Sequence, residues 1–306
     1  MSQQKKTVTI TARRHTWNFD RTTGPFWYSG SPAMSHWFDA YTLLVPDNEA
    51  YYIRTLRPCM DMIDDQMQKA ELLEFFRQES LHGIGHKAYR KTLDKFGLKF
   101  EPFVRSTGWL LYDLLEPLQP HRIRVSIVAA VEHINAFLAN IVLEHNLMRG
   151  AVPEVRELFY WHFVEEIEHK AVAHNALMVC YPGYITRTLG AVLAFPTFFV
   201  LSFIGMAYLL LQEGQLFRRR TIYDLFKFWI GDGVLRASLH HIARYFRPSF
   251  DPWEVDDLPL AREFSLSIQD KGARVDLEMP CEVGQELAAY QGQPQSCRTV
   301  HLKRKT

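Results

Sequence analysis

The sequence predicts an all-α protein whose centre is a four-helix bundle over residues 34–182. Long segments carry apolar side chains at intervals of three, four and seven residues, the spacing of one helix face. Glycine and proline separate these segments at distances that suit antiparallel helices joined by loops. Two segments each carry a Glu-x-x-His pair, which adds a chemical signature. With 47% hydrophobic residues, the 306-residue chain can bury a substantial core.

Residues 1–33 precede the bundle and are predicted to form an arm. The stretch KTVTITARR suggests a short strand, and glycine and proline make the following stretch rich in turns. An apolar run over 34–45 ends at Pro46. Because proline suits the first turn of a helix and aspartate suits its cap, Pro46 and Asp47 predict the start of the first bundle helix. We expect that helix to extend into the fifties or sixties, with Pro58 as a candidate kink.

Three further helices complete the predicted bundle. The second covers 69–96, the third covers 121–148, and the fourth runs from Pro153 to about Cys180, each bounded by glycine or proline. A longer crossover over 97–120 separates the first helix pair from the second. The chain therefore resembles a duplicated helical hairpin.

Residues 183–250 are predicted to add apolar helices to the bundle. The run 188–212 has no charged side chain and is long enough to cross a bilayer. Three interpretations stay open for it: a membrane span, an embedded or interfacial segment, and a buried core helix or dimer interface. The cluster Arg218–Arg220 follows it. Residues 251–306 are predicted to be a linker and a short tail, with β-like pieces FSLSIQ and RVDLEM.

Charge and cysteine usage restrict the partners and the compartment. The 35 basic and 34 acidic residues are nearly balanced, which argues against a nucleic-acid partner. Four cysteines show no Cys-x-x-Cys spacing, so we expect free thiols in a reducing compartment. The polar N-terminus has no apolar core of a signal peptide. We therefore expect a cytoplasmic protein, bound to the inner face of the membrane if 188–212 contacts lipid.

Two Glu-x-x-His pairs are the main chemical feature of the sequence. Glu79 precedes His82 by three residues, and Glu166 precedes His169 by three. On a helix this spacing puts a carboxylate and an imidazole on the same side, where both can reach one metal ion. Two such pairs on two helices predict two metal ions.

The other two bundle helices each supply one glutamate. Glu49 and Glu132 stand before the two pairs, so the order along the chain is Glu, Glu-x-x-His, Glu, Glu-x-x-His. This order is the inward-facing ligand set of ferritin-like bundles that hold two iron or manganese ions. Glu132 lies in an apolar helix, where a carboxylate is costly to bury without a partner such as a metal.

Several assignments stay open at this stage. Glu165 rivals Glu166 in the second pair, although symmetry with the first pair favours Glu166. His86 follows His82 by one turn and is a candidate seventh ligand, a proton carrier or a hydrogen-bond partner of a ligand. His162 is predicted to lie at the surface or outside the ligand set. Glu132, Glu166 and His86 are expected to stand closest to the chemistry, with the two carboxylates bridging or terminally binding the metals.

Four stretches also resemble a bacterial family named predicted metal-dependent hydrolase. They are HWFDAYTLLVPDNEAYYIRTLRP, FFRQESLHGIGH, AAVEHINA and WHFVEEIEHKAVAHNAL, and the similarity spans residues 16–255. Glu49 follows Pro-Asp-Asn where the family has glycine, and Asn175 stands where aspartate is common. Neither change removes a proposed ligand. The resemblance implies a metal-dependent hydrolase with a ferritin-like pattern.

The ligand set and the family name point to different chemistry. We expect an enzyme with two iron ions, or alternatively manganese or zinc, that activates water or dioxygen toward a small apolar or lipid-like substrate. A homodimer is a candidate assembly. The alternative is a bundle that stores or senses metal without turnover, although the apolar run 188–212 does not suit a storage shell.

Overall fold

The computed structural model describes residues 10–269, and these residues form helices without any strand. The all-α class predicted from the sequence is therefore confirmed over this range. Short π-helical turns follow α4 and α9, and one antiparallel bridge joins Tyr28 to Ala151. The α-helices are α1 Pro32–Leu56, α2 Cys59–Met62, α3 Gln66–Lys95, α4 Glu101–Gly108, α5 His121–Glu144, α6 Pro153–His169, α7 Val172–Cys180, α8 Tyr184–Gln212, α9 Arg219–Phe226, α10 Val234–Tyr245 and α11 Leu258–Gln269.

Four helices surround the residues that the sequence singles out. Helix α1 packs along α3, and α5 packs along α6, while α1 also contacts α5 and α3 also contacts α6. Each helix therefore has two neighbours in the group, and its inner face is shielded from solvent. Helix α8 covers this group from one side by packing along α5 and α1.

Helix α1 begins earlier than the sequence predicts. It starts at Pro32, with the Ser31 hydroxyl accepting a hydrogen bond from Met34, and it continues through Pro46 to Leu56. The predicted start at Pro46 is wrong because the apolar run before it is already helical and buried. A proline inside a helix removes one backbone hydrogen bond, and that loss is offset here by burial. Pro58 lies beyond the end of the helix, so it makes no kink.

A glycine allows α3 to approach α1 at this point. A Cβ atom on Gly83 would lie 3.3 Å from a carboxylate oxygen of Glu49 and 3.8 Å from the Cα of Pro46. A larger side chain would therefore push the two helices apart beside Glu49.

Helix α5 ends at Glu144 instead of the predicted residue 148, and two other predicted segments differ in kind from the structure. The fourth predicted helix is two helices, because α6 ends at His169 and α7 begins at Val172. At the break, the Lys170 ammonium is buried and donates hydrogen bonds to the Val255 carbonyl and to Asp257. The segment FSLSIQ is the end of α11 instead of a strand.

Packing explains the helical state of this tail segment. Leu258, Ala261 and Ile268 are buried, and their spacing follows a helix face that packs on α6. Alternation over six residues is compatible with either structure, and contact with α6 selects the helix. The β-like piece RVDLEM and the first four residues of KTVTITARR lie outside the described residues, and the other five residues of KTVTITARR form no strand.

Two described helices are long and apolar enough to cross a membrane. Helix α5 is 89% buried over its most apolar window, so it is a core helix of the bundle. Helix α8 is only 44% buried over the corresponding window.

Candidate metal centre

Seven residues form two clusters of candidate metal ligands between α1, α3, α5 and α6. In each cluster, one carboxylate oxygen or ring nitrogen from every member lies within 4.8 Å of the others. Glu166 belongs to both clusters, so they share one side chain. All members are buried. The first cluster contains Glu49, His82, His162 and Glu166, and the second contains Glu79, Glu132, Glu166 and His169.

Glu166 connects the clusters through its two oxygens. Its Oε1 lies 2.7 Å from Nε2 of His162, and its Oε2 lies 3.0 Å from Nε2 of His169. The two histidines stand one turn before and one turn after it on α6. Helical spacing thus presents a His-Glu-His row along one face, with the carboxylate in the middle. A carboxylate in this position is able to bridge two metal ions.

The first cluster draws on three helices. Nδ1 of His82 lies 3.7 Å from Glu49 and 4.0 Å from Glu79. The imidazole rings of His82 and His162 stack with their centroids 4.2 Å apart. Nε2 of His162 lies 4.0 Å from Glu49. The two nitrogens and two carboxylates of this cluster therefore face one small volume.

The second cluster is richer in carboxylates. Nε2 of His169 lies 3.2 Å from Glu79, 3.3 Å from Glu132 and 3.0 Å from Glu166. Asn135 donates a hydrogen bond to Oε1 of Glu132, which leaves Oε2 directed at His169. Three carboxylates around one imidazole make this volume strongly attractive to a cation.

Missing hydrogen bonds indicate that these groups suit a metal. Within residues 10–269, both oxygens of Glu49, both oxygens of Glu79, Oε2 of Glu132 and Nδ1 of His82 are buried without a hydrogen-bond partner. Buried polar groups in folded proteins nearly always have a partner, and a buried carboxylate without one is costly. Divalent metal ions of the first transition row accept both carboxylate oxygen and imidazole nitrogen. The residues present therefore fit a pair of such ions.

The protonation states suit this interpretation. Burial raises the pKa of Glu49 and of Glu79 well above the usual carboxyl range, and neighbouring carboxylates raise it further. Burial and the charge of Glu166 raise the pKa of Glu132 to about 7. Burial lowers the pKa of His82 well below the usual value, so its ring is neutral and can offer a lone pair.

His169 and Glu166 form an ion pair at the centre. Burial opposes the charge on both groups, but their mutual attraction outweighs it. The pKa of His169 lies well above its usual value, and the pKa of Glu166 falls to about 2. In the absence of a metal, the imidazolium of His169 thus supplies part of the positive charge that the carboxylates require.

A surrounding layer of side chains orients the ligand rings. Glu165 lies 3.0 Å from Nε2 of His82, and Gln78 lies 3.0 Å from Nδ1 of His169. Glu165 in turn accepts a hydrogen bond from the backbone N–H of Arg13 at 3.1 Å. The N-terminal arm therefore contributes to the support of the centre.

Six of the seven residues predicted as ligands lie in the two clusters, and His86 does not. The structure brings together Glu49, Glu79, His82, Glu132, Glu166 and His169. His86 belongs to neither cluster: its Nε2 lies 2.8 Å from Nδ1 of His162, and its Nδ1 lies 3.0 Å from the hydroxyl of Thr42. Of the roles left open, that of a partner to a ligand agrees best with this position.

His162 is the residue that sequence reasoning missed. The surface position is wrong, since His162 is fully buried; its Nε2 faces Glu166, and it belongs to the first cluster of candidate ligands. The available signal was its spacing, because a residue four positions before Glu166 shares a helix face with it. That spacing alone is common on helix surfaces. The hydroxyl of Tyr41, 3.1 Å from His162, was not singled out either.

Fold and site together define a helical protein with a buried glutamate and histidine centre that could hold metal. The chain belongs to the family of predicted metal-dependent hydrolases, whose model matches residues 11–256. The resemblance noted in the sequence is thereby confirmed. Comparison with curated proteins and with solved structures found no match. Metal dependence therefore has two independent supports, the family and the ligand clusters.

Proposed function

We propose that this protein is a two-metal enzyme with iron in both positions, acting on an apolar, lipid-like substrate. The observation that carries the proposal is the position of Glu166 between two ligand clusters. A single-metal site would need only one of them. Glu49, His82 and His162 would hold one ion, Glu79, Glu132 and His169 would hold the other, and Glu166 would bridge both.

Residues around the centre would keep it dry and ordered. The ring of Trp161 stands edge-on to His82 with centroids 4.8 Å apart, and Phe75 stands edge-on to His169 at 4.9 Å. Low polarity around the ligands strengthens every electrostatic contact within the centre. Thr42 contacts His86, and His86 contacts His162. This chain of hydrogen bonds would determine which ring nitrogen of His162 carries the proton and would hold the ring in position.

The chemistry would come from the ions and the orientation from the protein. When bound, a metal pair supplies Lewis acidity that activates water and substrate, and a ferrous pair also supplies electrons to dioxygen. Hydrolysis agrees with the family description. It is the first candidate reaction for that reason.

A small apolar cavity lies beside Tyr41, with room for a molecule little larger than water. The cavity has a volume of about 20 Å³, and Trp37, Phe163, Phe228 and Trp229 are among its lining residues. Tyr41 lines it on one side and contacts His162 on the other. The cavity therefore lies between the candidate centre and helices α9 and α10.

Dioxygen chemistry is the second candidate, and the same cavity favours it. Dioxygen is small and apolar, so it enters an apolar void more readily than water does. The ligand set rich in carboxylates agrees with ferrous ions. Both candidates require metal, and they differ in their need for dioxygen.

Metal analysis of purified protein tests the two-metal proposal. We expect about two equivalents of iron per chain after anaerobic reconstitution. Glu166→Gln should bind less than half of this amount, because both positions lose the shared carboxylate. Glu144→Gln is the matched control, since Glu144 is an exposed glutamate on α5. Protein that takes up no iron, manganese or zinc would contradict the proposal, as would full loading of Glu166→Gln.

Loaded protein then separates the reactions. Hydrolysis of p-nitrophenyl esters of medium-length fatty acids under anaerobic conditions would support the first candidate. Consumption of dioxygen by the ferrous form, lost in Glu166→Gln, would support the second. Two bound equivalents with neither reaction would favour the storage or sensing alternative.

A further inference from the structure

Helix α8 exposes an uncharged stripe along its whole length. The helix has 29 residues and is therefore about 43 Å long at about 1.5 Å per residue. Its exposed large apolar side chains extend from Ile185, which is 71% exposed, to Leu211, which is 55% exposed. Other members of the stripe are Leu189, Val192, Val200 and Ile204. Exposed apolar surface of this extent marks a site of interaction.

Helices α9 and α10 widen this stripe into a surface. The chain after α10 reaches the first turn of α8, where Tyr184 donates to the Phe246 carbonyl, whereas α9 packs on α1 and its Arg220 lies near Ser29. Trp229, between α9 and α10, packs on Phe203 of α8 with ring centroids 5.4 Å apart.

The outward side of α9 and α10 is also apolar. It carries Phe217, Ile222, Phe226, Ile230 and Leu239, each at least half exposed. Exposed basic side chains lie on the same segments, as in helices at a lipid–water interface: Arg218, Arg219, Arg220, Lys227 and Arg236.

The opposite side of α8 packs closely on the rest of the protein, through α5 and α1. Gly190 allows such close packing on α5 that a Cβ atom there would lie 2.1 Å from the Ser126 hydroxyl. A bilayer-crossing α8 would carry α5 and α1 to the same depth. Helix α3, which packs on α1, exposes Lys87, Lys91 and Asp94. Charged side chains are costly in the hydrocarbon core, so the geometry favours a helix lying in the plane of the membrane.

Charge is distributed unevenly along the chain. Residues 184–247 contain 8 lysines and arginines but 3 acidic residues, whereas the whole chain contains 35 and 34. The rest of the chain thus has 27 basic and 31 acidic residues, by subtraction. Arg218, Arg219, Arg220 and Arg236 are exposed within the apolar surface or at its end. A basic, apolar surface is complementary to anionic lipid headgroups and the acyl chains beneath them.

We propose that the outward side of α8, α9 and α10 docks on an anionic membrane, with α8 parallel to the bilayer. The apolar side chains enter the headgroup boundary and the arginines bind lipid phosphates. The bundle and its candidate centre remain on the aqueous side. The cavity beside Tyr41 is lined by Phe228 and Trp229, which are buried in the turn between α9 and α10.

Flotation with lipid vesicles tests the docking surface. We expect the full chain to bind vesicles of phosphatidylcholine mixed with phosphatidylglycerol roughly ten-fold more tightly than phosphatidylcholine alone, and to release them in high salt. Val200→Glu with Ile204→Glu should abolish binding to both. Arg219→Glu with Arg220→Glu should remove only the preference for the anionic lipid.

Met67→Glu is the matched control. Met67 is 59% exposed on α3, similar to Val200 at 53% and Ile204 at 51%. This variant should bind vesicles like the wild type. Circular dichroism and metal content report whether each variant is folded, independently of any reaction.

Three results would overturn the proposal. One is a wild-type protein that does not bind either vesicle, and another is binding that survives Val200→Glu with Ile204→Glu. The third is a wild-type protein that forms a stable dimer in solution and does not bind lipid, with the dimer dissociated by Val200→Glu and Ile204→Glu. That result would assign the surface to a second copy of the chain.

Discussion

Nε2 of His82 lies 3.0 Å from Oε2 of Glu165, and this contact determines which nitrogen of the ring faces the candidate centre. With Nε2 engaged as the hydrogen-bond donor, the lone pair of Nδ1 points toward Glu49 and Glu79. Glu165, the alternative to Glu166 in the sequence, therefore contacts the His82 ring on the side away from Glu49 and Glu79. Of the two adjacent glutamates on α6, Glu166 belongs to both candidate clusters, whereas Glu165 belongs to neither and contacts the His82 ring.

Replacing the carboxyl group of Glu165 should weaken metal binding without abolishing it. In Glu165→Gln, the His82 ring loses its carboxyl partner, and we expect metal affinity to fall by about 10- to 100-fold. Competition with a chromophoric chelator measures the change. Glu144→Gln should leave the affinity unchanged. An affinity equal to that of the wild type in Glu165→Gln would show that Glu165 does not orient His82.

Substitutions at His162 and at His86 should differ in the number of metal ions that the protein still binds. His162→Leu removes a nitrogen from the first cluster, so we expect the number of bound ions to fall from two to about one. His86→Leu removes the contacts with His162 at 2.8 Å and with Thr42 at 3.0 Å but no nitrogen of either cluster, so two ions should still bind, more weakly. Metal analysis at saturating and at limiting concentration separates these outcomes. The reverse order of effects would make His86 the ligand.

Sequence reasoning predicted the elements with strong local signals. Helix α3 is expected from its periodicity and its terminal glycine, and the structure begins it three residues earlier and ends it one residue earlier. Gly97 has φ +78°, the left-handed conformation that suits a glycine after a helix. The six predicted ligands also converge, since an alternating pattern on four helices leaves few other arrangements.

Features that depend on tertiary contact were not predictable. Pro46 signals a helix start locally, but burial of the preceding apolar run keeps α1 continuous through it. His162 differs from an ordinary surface histidine only because α6 turns that face inward. Arg13 reaches Glu165 across 152 residues, and no local pattern reports such a contact. In each case the decisive interaction joins distant segments.

A buried network at His36 should make stability fall in alkaline solution. Its Nδ1 lies 2.9 Å from Asp39, and its Nε2 contacts Glu213 at the end of α8. Burial disfavours the charged ring, but these carboxylates outweigh burial and raise the pKa of His36 to about 9. The folded state therefore retains a proton that the unfolded state loses near pH 6.5.

The pH window follows from this shift. The stabilisation is complete below about pH 6.5 and is lost as the pH rises toward about 9, with a total of about 3 kcal/mol. Urea unfolding at several pH values measures it. In His36→Gln the free energy of unfolding should be lower at pH 6 and should decline less with pH. Identical pH dependence in the two proteins would exclude His36 as the source.

Close packing of α8 on α5 should make Gly190 sensitive to a single methyl group. A Cβ atom there would lie 2.1 Å from the hydroxyl and 2.4 Å from the backbone carbonyl carbon of Ser126, so the helices would have to separate. The Ser126 hydroxyl also donates to the Thr186 carbonyl at 2.7 Å, and displacement would break that bond. We expect Gly190→Ala to lower the free energy of unfolding by about 1–3 kcal/mol.

Gly108→Ala is the control, because nothing lies within 4 Å of its added methyl group and alanine favours the helix. Urea unfolding that ranks Gly190→Ala level with Gly108→Ala would mean that α8 does not pack on α5 this closely.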